Sequence, residues 1–349
     1  MGERLQVDVL IIGAGPAGLM NRLMAAAWMA QTGVHALLID KRSDHTQNGR
    51  ADGLESRTLE ILDSFGLADK VWAEANHTVE ISLWCDSVDG PLRRHSISAN
   101  SKPGWSRFYE STLGQGRIEE LLLEFIQSHG HVDIRRETIP TSFEIDYARI
   151  DDHSSYPIRL TLDSAVSTPL HPLDDSFHDS GLSTPKDSRD ARVQPHPNDS
   201  QSGRSSMDVE AKYVLGCDGA HSWLRKQLDL RLQGESFEDY WGVLDIIPLT
   251  NFPDIRKRFI VKSKFGNLMM IPREKRLVRV YVELSPSTAA QYKMEENAGF
   301  IMSQVEVIMQ PYSMKAKHIA WSTVYNVLYF LPTKVLRSRP EDLPKDFVP

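Results

Sequence analysis

Apolar and polar positions along this chain change period several times, and each change marks an element. Residues 7–12 form a nearly continuous apolar run, too short for a helix and rich in β-branched side chains, which predicts a buried strand. That run breaks into Gly13-Ala14-Gly15-Pro16-Ala17-Gly18, after which a helix is predicted. Leu-Met pairs on both sides of Asn21-Arg22 make that helix about one turn longer than usual in this position. A second apolar strand over 36–39 ends in Asp40, and the polar stretch 41–53 reads as a loop. Helical spacing follows over 54–65, stopping at Gly66, and again over 117–128, stopping at Gly130. Strands are predicted at 79–85, 143–145 and 158–162.

From residue 164 to 208 Ser, Asp, Pro and His replace the apolar pattern, so this segment is predicted to be a disordered surface insertion. No chemistry is assigned to its His171, His178 or His196. Order resumes at Glu210, with a strand over 213–217, the pair Asp218-Gly219, and a helix over 222–228. From Tyr240 the pattern is β, with strands at 242–247, 259–262, 268–271 and 277–284, before a helix at 297–309. These strands predict a second sheet, separate from the one built by the N-terminal strands. The stretch 326–349, rich in Pro, Arg and Asp, reads as a divergent tail.

Composition narrows the partners. The 349 residues can hold two domains. A net charge of −7 argues against nucleic acid or an anionic membrane as a partner. Cys85 and Cys217, the only cysteines, read as reduced thiols rather than a disulfide framework. With no leader and no apolar stretch long enough to span a bilayer, the expectation is a cytoplasmic protein, for which a homodimer is allowed.

The first candidate site is the glycine turn. Gly13 permits the tight turn, Gly15 lets a pyrophosphate approach the backbone, and Gly18 lets the helix pack on the strand. Asp40, about 20 residues on, can hold a ribose hydroxyl pair. An ordinary strand-turn-helix is the alternative. Three further stretches open helices: Arg50-Ala51-Asp52-Gly53-Leu54, Gly114-Gln115-Gly116-Arg117, and Gly216-Cys217-Asp218-Gly219-Ala220-His221-Ser222. Each alone is explained by a turn and an N-cap.

Their combination and order resemble the FAD-dependent aromatic hydroxylases, most closely the fungal phenol 2-monooxygenase type. The resemblance adds Trp241-Gly242-Val243-Leu244-Asp245, Asn251-Phe252-Pro253-Asp254-Ile255-Arg256, Ile271-Pro272-Arg273-Glu274 and the run Arg279 to Tyr281. It extends from residue 5 to about Tyr325. It implies an α/β, p-hydroxybenzoate hydroxylase-like fold. A discontinuous Rossmann-like FAD-binding domain (1–78, 108–163, 209–232) would join a β-rich substrate domain (79–107, 233–325). Gly13, Gly15, Ala17, Gly18, Asp40 and Lys41 would hold the ADP half of FAD, with Arg50 and Gln115 near the flavin. Asp218 and Gly219 would contact FAD and the incoming NADPH or NADH. Asp52, Arg273 and Tyr281 match the substrate-pocket positions.

The implied reaction hydroxylates a phenolic or polyketide-derived aromatic with O2 through a flavin C4a-hydroperoxide. A phenolate attacks that oxygen faster than a phenol does. Asp52 can therefore serve as general base, Tyr281 can orient the hydroxyl, and Arg273 can stabilise the developing charge. The alternatives for these residues are a helix N-cap for Asp52, a strand aromatic for Tyr281 and a solvated charge for Arg273. The family also carries a Gly-Asp segment after the sheet domain, and that dipeptide is absent here. A competing reading is thus a truncated, catalytically inactive flavoprotein remnant. An NAD-dependent dehydrogenase would leave Asp218-Gly219 and Gln115 without a role.

Overall fold

The computed structural model describes residues 4–13, 19–44, 46, 52–87, 90–165, 204–219 and 221–332. Three sheets organise them. The first is six-stranded, in the order β8 (Val132–Arg135), β2 (Ala36–Ile39), β1 (Arg4–Ile12), β11 (Arg204–Gly216), β10 (Ile158–Ala165), β9 (Thr138–Ile145). Strand β1 runs parallel to both β2 and β11. Its Val9 and Ile11 pack on one face, against α1 (Leu19–Thr32) and α4 (Gln115–His129). Its Val7, Leu10 and Ile12 pack on the other, with Leu160 and Leu224. Burial on both faces is why the strand reads as a continuous apolar run rather than an alternation.

The second sheet has seven strands. Their order is β16 (Met314–Pro332), β12 (Leu232–Thr250), β15 (Val278–Leu284), β14 (Gly266–Pro272), β13 (Arg258–Ser263), β5 (Glu80–Ser87), β6 (Gly90–Ala99). Here alternation holds. Leu244, Leu268, Val280 and Val282 are fully buried with Ile301, Val305 and Ile308 of α7 (Ala298–Ile308), and Ala289 of α6 (Pro286–Glu295) joins them. The intervening residues, Asp245, Arg279 and Tyr281 among them, therefore face the opposite side. A three-stranded sheet, β3 (Gly53–Leu54), β7 (Ser111–Thr112) and β4 (Asn76–His77), links the two units. Thr112 Oγ1 donates to the Pro272 carbonyl at 2.8 Å, and the Leu113 amide to the Asp52 carbonyl at 3.0 Å.

Several expected boundaries move. The helix after the polar loop, α2, spans Ser56–Ser64 with Glu55 at its N-cap, so Asp52 lies ahead of a short strand and caps nothing. The segment expected to be irregular over 164–208 is paired at both ends, where Ala165 lies opposite Arg204 in an antiparallel ladder. The stretch expected to be a divergent tail from 326 is strand as far as Pro332, which pairs with Leu232. Backbone hydrogen bonds extend a ladder without needing apolar side chains, so composition marks such ends poorly. α3 (Ala68–Glu74), α6, β6, β8 and the whole of β16 add to the elements predicted from the sequence. Cys85 and Cys217 form no disulfide. No helix among the described residues is long and apolar enough to cross a membrane.

Candidate functional site

Because β2, β1 and β11 are parallel neighbours, their carboxyl ends form one edge, and the predicted nucleotide residues lie along it. Gly13 ends β1 with φ +93°, a conformation that side chains with a Cβ rarely adopt, and its amide donates to the Ile39 carbonyl at 2.7 Å. Asp40 ends β2, is 2% exposed, and accepts a 2.7 Å hydrogen bond from the Arg42 amide. Lys41 beside it is exposed. Asp218 follows β11. One of its oxygens accepts from the Trp223 and Leu224 amides at 2.5 and 3.0 Å, which fixes the start of α5 (Trp223–Gln227), and Gly219 turns the chain with φ +87°. The predicted Gly15, Ala17, Gly18 and Arg50 lie outside the described residues.

Gln115 opens α4 behind Gly114, which offers no side-chain cap. Its Nε2 donates to Glu119 Oε1 at 2.8 Å and Thr46 Oγ1 at 3.3 Å, tying the helix to the loop after β2. Gln115 Oε1 and Asp218 Oδ1 are buried without a hydrogen-bond partner. Such atoms are costly to leave unpaired, so both are places a bound polar group would satisfy. This edge, with a positive-φ glycine and two unpaired acceptor atoms, fits a dinucleotide such as FAD.

The predicted catalytic residues gather a short step away. Asp52 and Arg273 are 5% and 4% exposed, so neither an N-cap nor a solvated charge describes them. Arg273 Nε lies 3.0 Å from Asp52 Oδ2, and Arg279 Nη1 lies 3.2 Å from Asp52 Oδ1. Tyr281 is half-buried on the same sheet face, two residues beyond Arg279. Gly114 joins this cluster to the nucleotide edge. A Cβ added there would sit 3.0 Å from Glu274 Oε1 and 3.2 Å from Arg273 Nη2, so any larger residue would make those side-chain ends give way.

Burial raises the Asp52 carboxyl above the ordinary aspartate value. Arg279 and Arg273 oppose the rise, while Asp245 and Glu274 add to it. Burial also raises the Tyr281 phenol, reinforced by the Asp52 charge. Two partners had no role assigned from the sequence. Asp245 accepts from Arg279 Nε and Nη2 at 2.8 Å each and from Arg273 Nη1 at 2.6 Å. Arg279, 1% exposed, stacks 5.3 Å from the Trp321 ring. The available signal was one charged residue inside each of two otherwise apolar strands, Gly242-Val243-Leu244-Asp245-Ile246-Ile247 and Val278-Arg279-Val280. Buried charges of this kind need each other.

Comparisons with known proteins agree with this architecture. A phenol 2-monooxygenase of Aspergillus fumigatus is 33% identical over 326 residues, which cover 92% of this chain and 46% of the relative. An FAD-dependent monooxygenase of Aspergillus terreus is 32% identical, covering 92% and 45%. The chain thus spans about half the length of the curated relatives it matches. Among solved structures, aklavinone-11 hydroxylase in a ternary complex with FAD and aklavinone superposes with a TM-score of 0.64. It is 18% identical, and the match covers 97% of this chain and 56% of that one. The flavin-dependent monooxygenase PieE, solved with FAD and substrate, gives a TM-score of 0.65 at 18% identity, covering 96% and 52%. These likenesses show the shared fold of an FAD-binding unit with a β-rich second unit. The FAD binding domain family matches residues 6–155 and 177–334, and the chain belongs to that family.

Proposed function

We propose that this chain supports the FAD-dependent hydroxylation of a phenolic or polyketide-derived aromatic, with NADPH or NADH as electron donor and O2 as oxidant. The observation that carries the reading is the buried cluster of Asp52, Arg273, Arg279 and Tyr281, placed against the start of α4 beside the nucleotide edge. FAD, when bound and reduced, would activate O2, one atom of which is transferred to the ring while the other leaves as water. Gly13, Asp40 and Lys41 would hold its ADP half, with Gln115 and Asp218 satisfied by its polar groups. Asp52 accepts the proton of the substrate hydroxyl, which raises the electron density of the ring. Tyr281 orients that oxygen, and the two guanidiniums stabilise its negative charge. A net charge of −7 supports small-molecule partners, the aromatic and O2, over nucleic acid. The relatives' names support the assignment, among them a 3-hydroxybenzoate 4-monooxygenase of Comamonas testosteroni.

The test is direct. The purified chain should show a visible flavin band in stoichiometric amount, oxidise NADPH faster when phenol is added, and release a dihydroxylated ring. A folded protein that takes up no FAD would rule the reading out and favour an inactive flavoprotein.

A further inference from the structure

Two carboxylates, Asp52 and Asp245, face the same two guanidiniums, and their surroundings differ. Asp245 lies mid-strand on β12, opposite Arg279 on one side and Trp321 on the other, and is 2% exposed. Its oxygens take three aligned hydrogen bonds from Arg279 and Arg273. Asp52 is held otherwise. Its Oδ2 lies 3.0 Å from Arg273 Nε, yet both atoms are buried without an aligned hydrogen bond. One carboxylate is thus saturated, and the other is held by charge alone at one of its oxygens. When two coupled acids differ in this way, the proton goes to the less satisfied one.

We propose that Asp245 is the positioning residue of the site: by accepting from both Arg279 and Arg273 it holds the two guanidiniums and leaves Asp52 as the carboxylate that takes up a proton. The charged and titratable groups facing Asp52 are Asp245 from β12, Arg273 and Glu274 from the turn after β14, and Arg279 and Tyr281 from β15. With both aspartates ionised the two arginines are balanced, and Glu274 adds one negative charge. When Asp52 accepts a proton from a phenol O–H, that bond breaks, a carboxyl O–H forms, and the electron pair stays on the phenolate. The arginines then face the new anion with Asp245, and Glu274 on Arg273 Nη2 at 2.8 Å, offsetting them. Without Asp245 both guanidiniums would turn on Asp52 and lock it as their counter-ion. Only the identity of the proton donor rests on the hydroxylation reading.

The experiment is an infrared titration of the carboxyl C=O band in the purified protein, with 4-nitrophenol, coloured only as its phenolate, as the phenol probe. Wild type should show a protonated carboxyl that persists to higher pH than ordinary aspartates and is absent from Asp52→Asn. In Asp245→Asn its midpoint should fall by about one pH unit or more, because an opposing negative charge within a few ångströms has gone. Asp245→Glu keeps the charge and should leave the midpoint in place. It also guards against Asp245→Asn failing to fold. An unchanged midpoint in Asp245→Asn, a moved one in Asp245→Glu, or a band that survives Asp52→Asn overturns the assignment. In wild type above the midpoint, adding 4-nitrophenol should restore the carboxyl band as the yellow phenolate appears. If the probe does not bind, the hydroxylation reading fails, while the titration of the free protein still decides the role of Asp245.

Discussion

Asp52 shows how burial changes what a carboxyl can do. In water it would be an ordinary acid; here desolvation lifts it and two guanidiniums only partly restore the anion. The consequence for pH follows from the sign. A raised value means that Asp52 is protonated, and useless as a base, at pH values where free aspartate is already ionised. Hydroxylation measured as kcat/KM should therefore fall on the acid side at a pH above the ordinary aspartate value of 3.8. Asp52→Asn should remove that limb and lower turnover about 100-fold or more while flavin absorbance stays, since general-base catalysis is worth at least that much. Gly13 makes a separate prediction. Gly13→Ala forces a Cβ into φ +93°, at a strain of about 1–3 kcal/mol, and should weaken FAD binding, as read by flavin fluorescence titration.

At the scale of elements, packing contacts hold the cluster in register. Gly242 of β12 admits α7: a Cβ there would meet Ile301 Cγ2 at 2.7 Å and Leu284 Cδ1 at 2.9 Å. Gly242→Ala should cost about 1–3 kcal/mol in urea unfolding, as over-packing in a close-packed core does. Asp254, in the turn between β12 and β13, accepts from Trp84 Nε1 at 2.9 Å and Arg94 Nε at 2.8 Å and so pins the β5–β6 hairpin. Burial acts to raise its carboxyl, but hydrogen bonds from Arg94, Trp84 and Ser82 outweigh that and hold it below the ordinary value. A depressed folded value means that its stabilisation is complete above 3.8 and lost as pH falls toward the folded value. Asp254→Ala should destabilise by about 2 kcal/mol at neutral pH, with the difference from wild type shrinking in acid. Most of these strands were legible, because apolar runs and alternation state which faces are buried. The ladder beyond residue 325 and the pairing of Ala165 with Arg204 were not, since backbone bonding leaves no side-chain signature there.

For the whole molecule, two units with different periodicity meet at one site. The first sheet supplies the nucleotide edge, the second supplies Asp245, Arg279, Tyr281 and the turn with Arg273, and the small third sheet carries Asp52 between them. Binding at such a seam should stabilise the whole. FAD at a hundredfold excess over its Kd should add about 2.7 kcal/mol and raise Tm in a thermal melt. Riboflavin lacks the ADP half that the glycine turn and Asp40 would hold, so it should raise Tm far less.

The sequence by itself determined the glycine turn, the aspartate at the end of the second strand, the order of most strands and the family, because these are written in local spacing. It also named Asp52, Arg273 and Tyr281, through resemblance to the family rather than through periodicity. Only the tertiary structure decided that Asp52 caps no helix, that Arg273 is buried, and that Asp245 and Arg279 complete the cluster. The physical reason is separation along the chain. Asp52 and Asp245 are nearly two hundred positions apart. A charge inside an apolar strand shows that some partner must exist, and only the folded chain shows which one it meets.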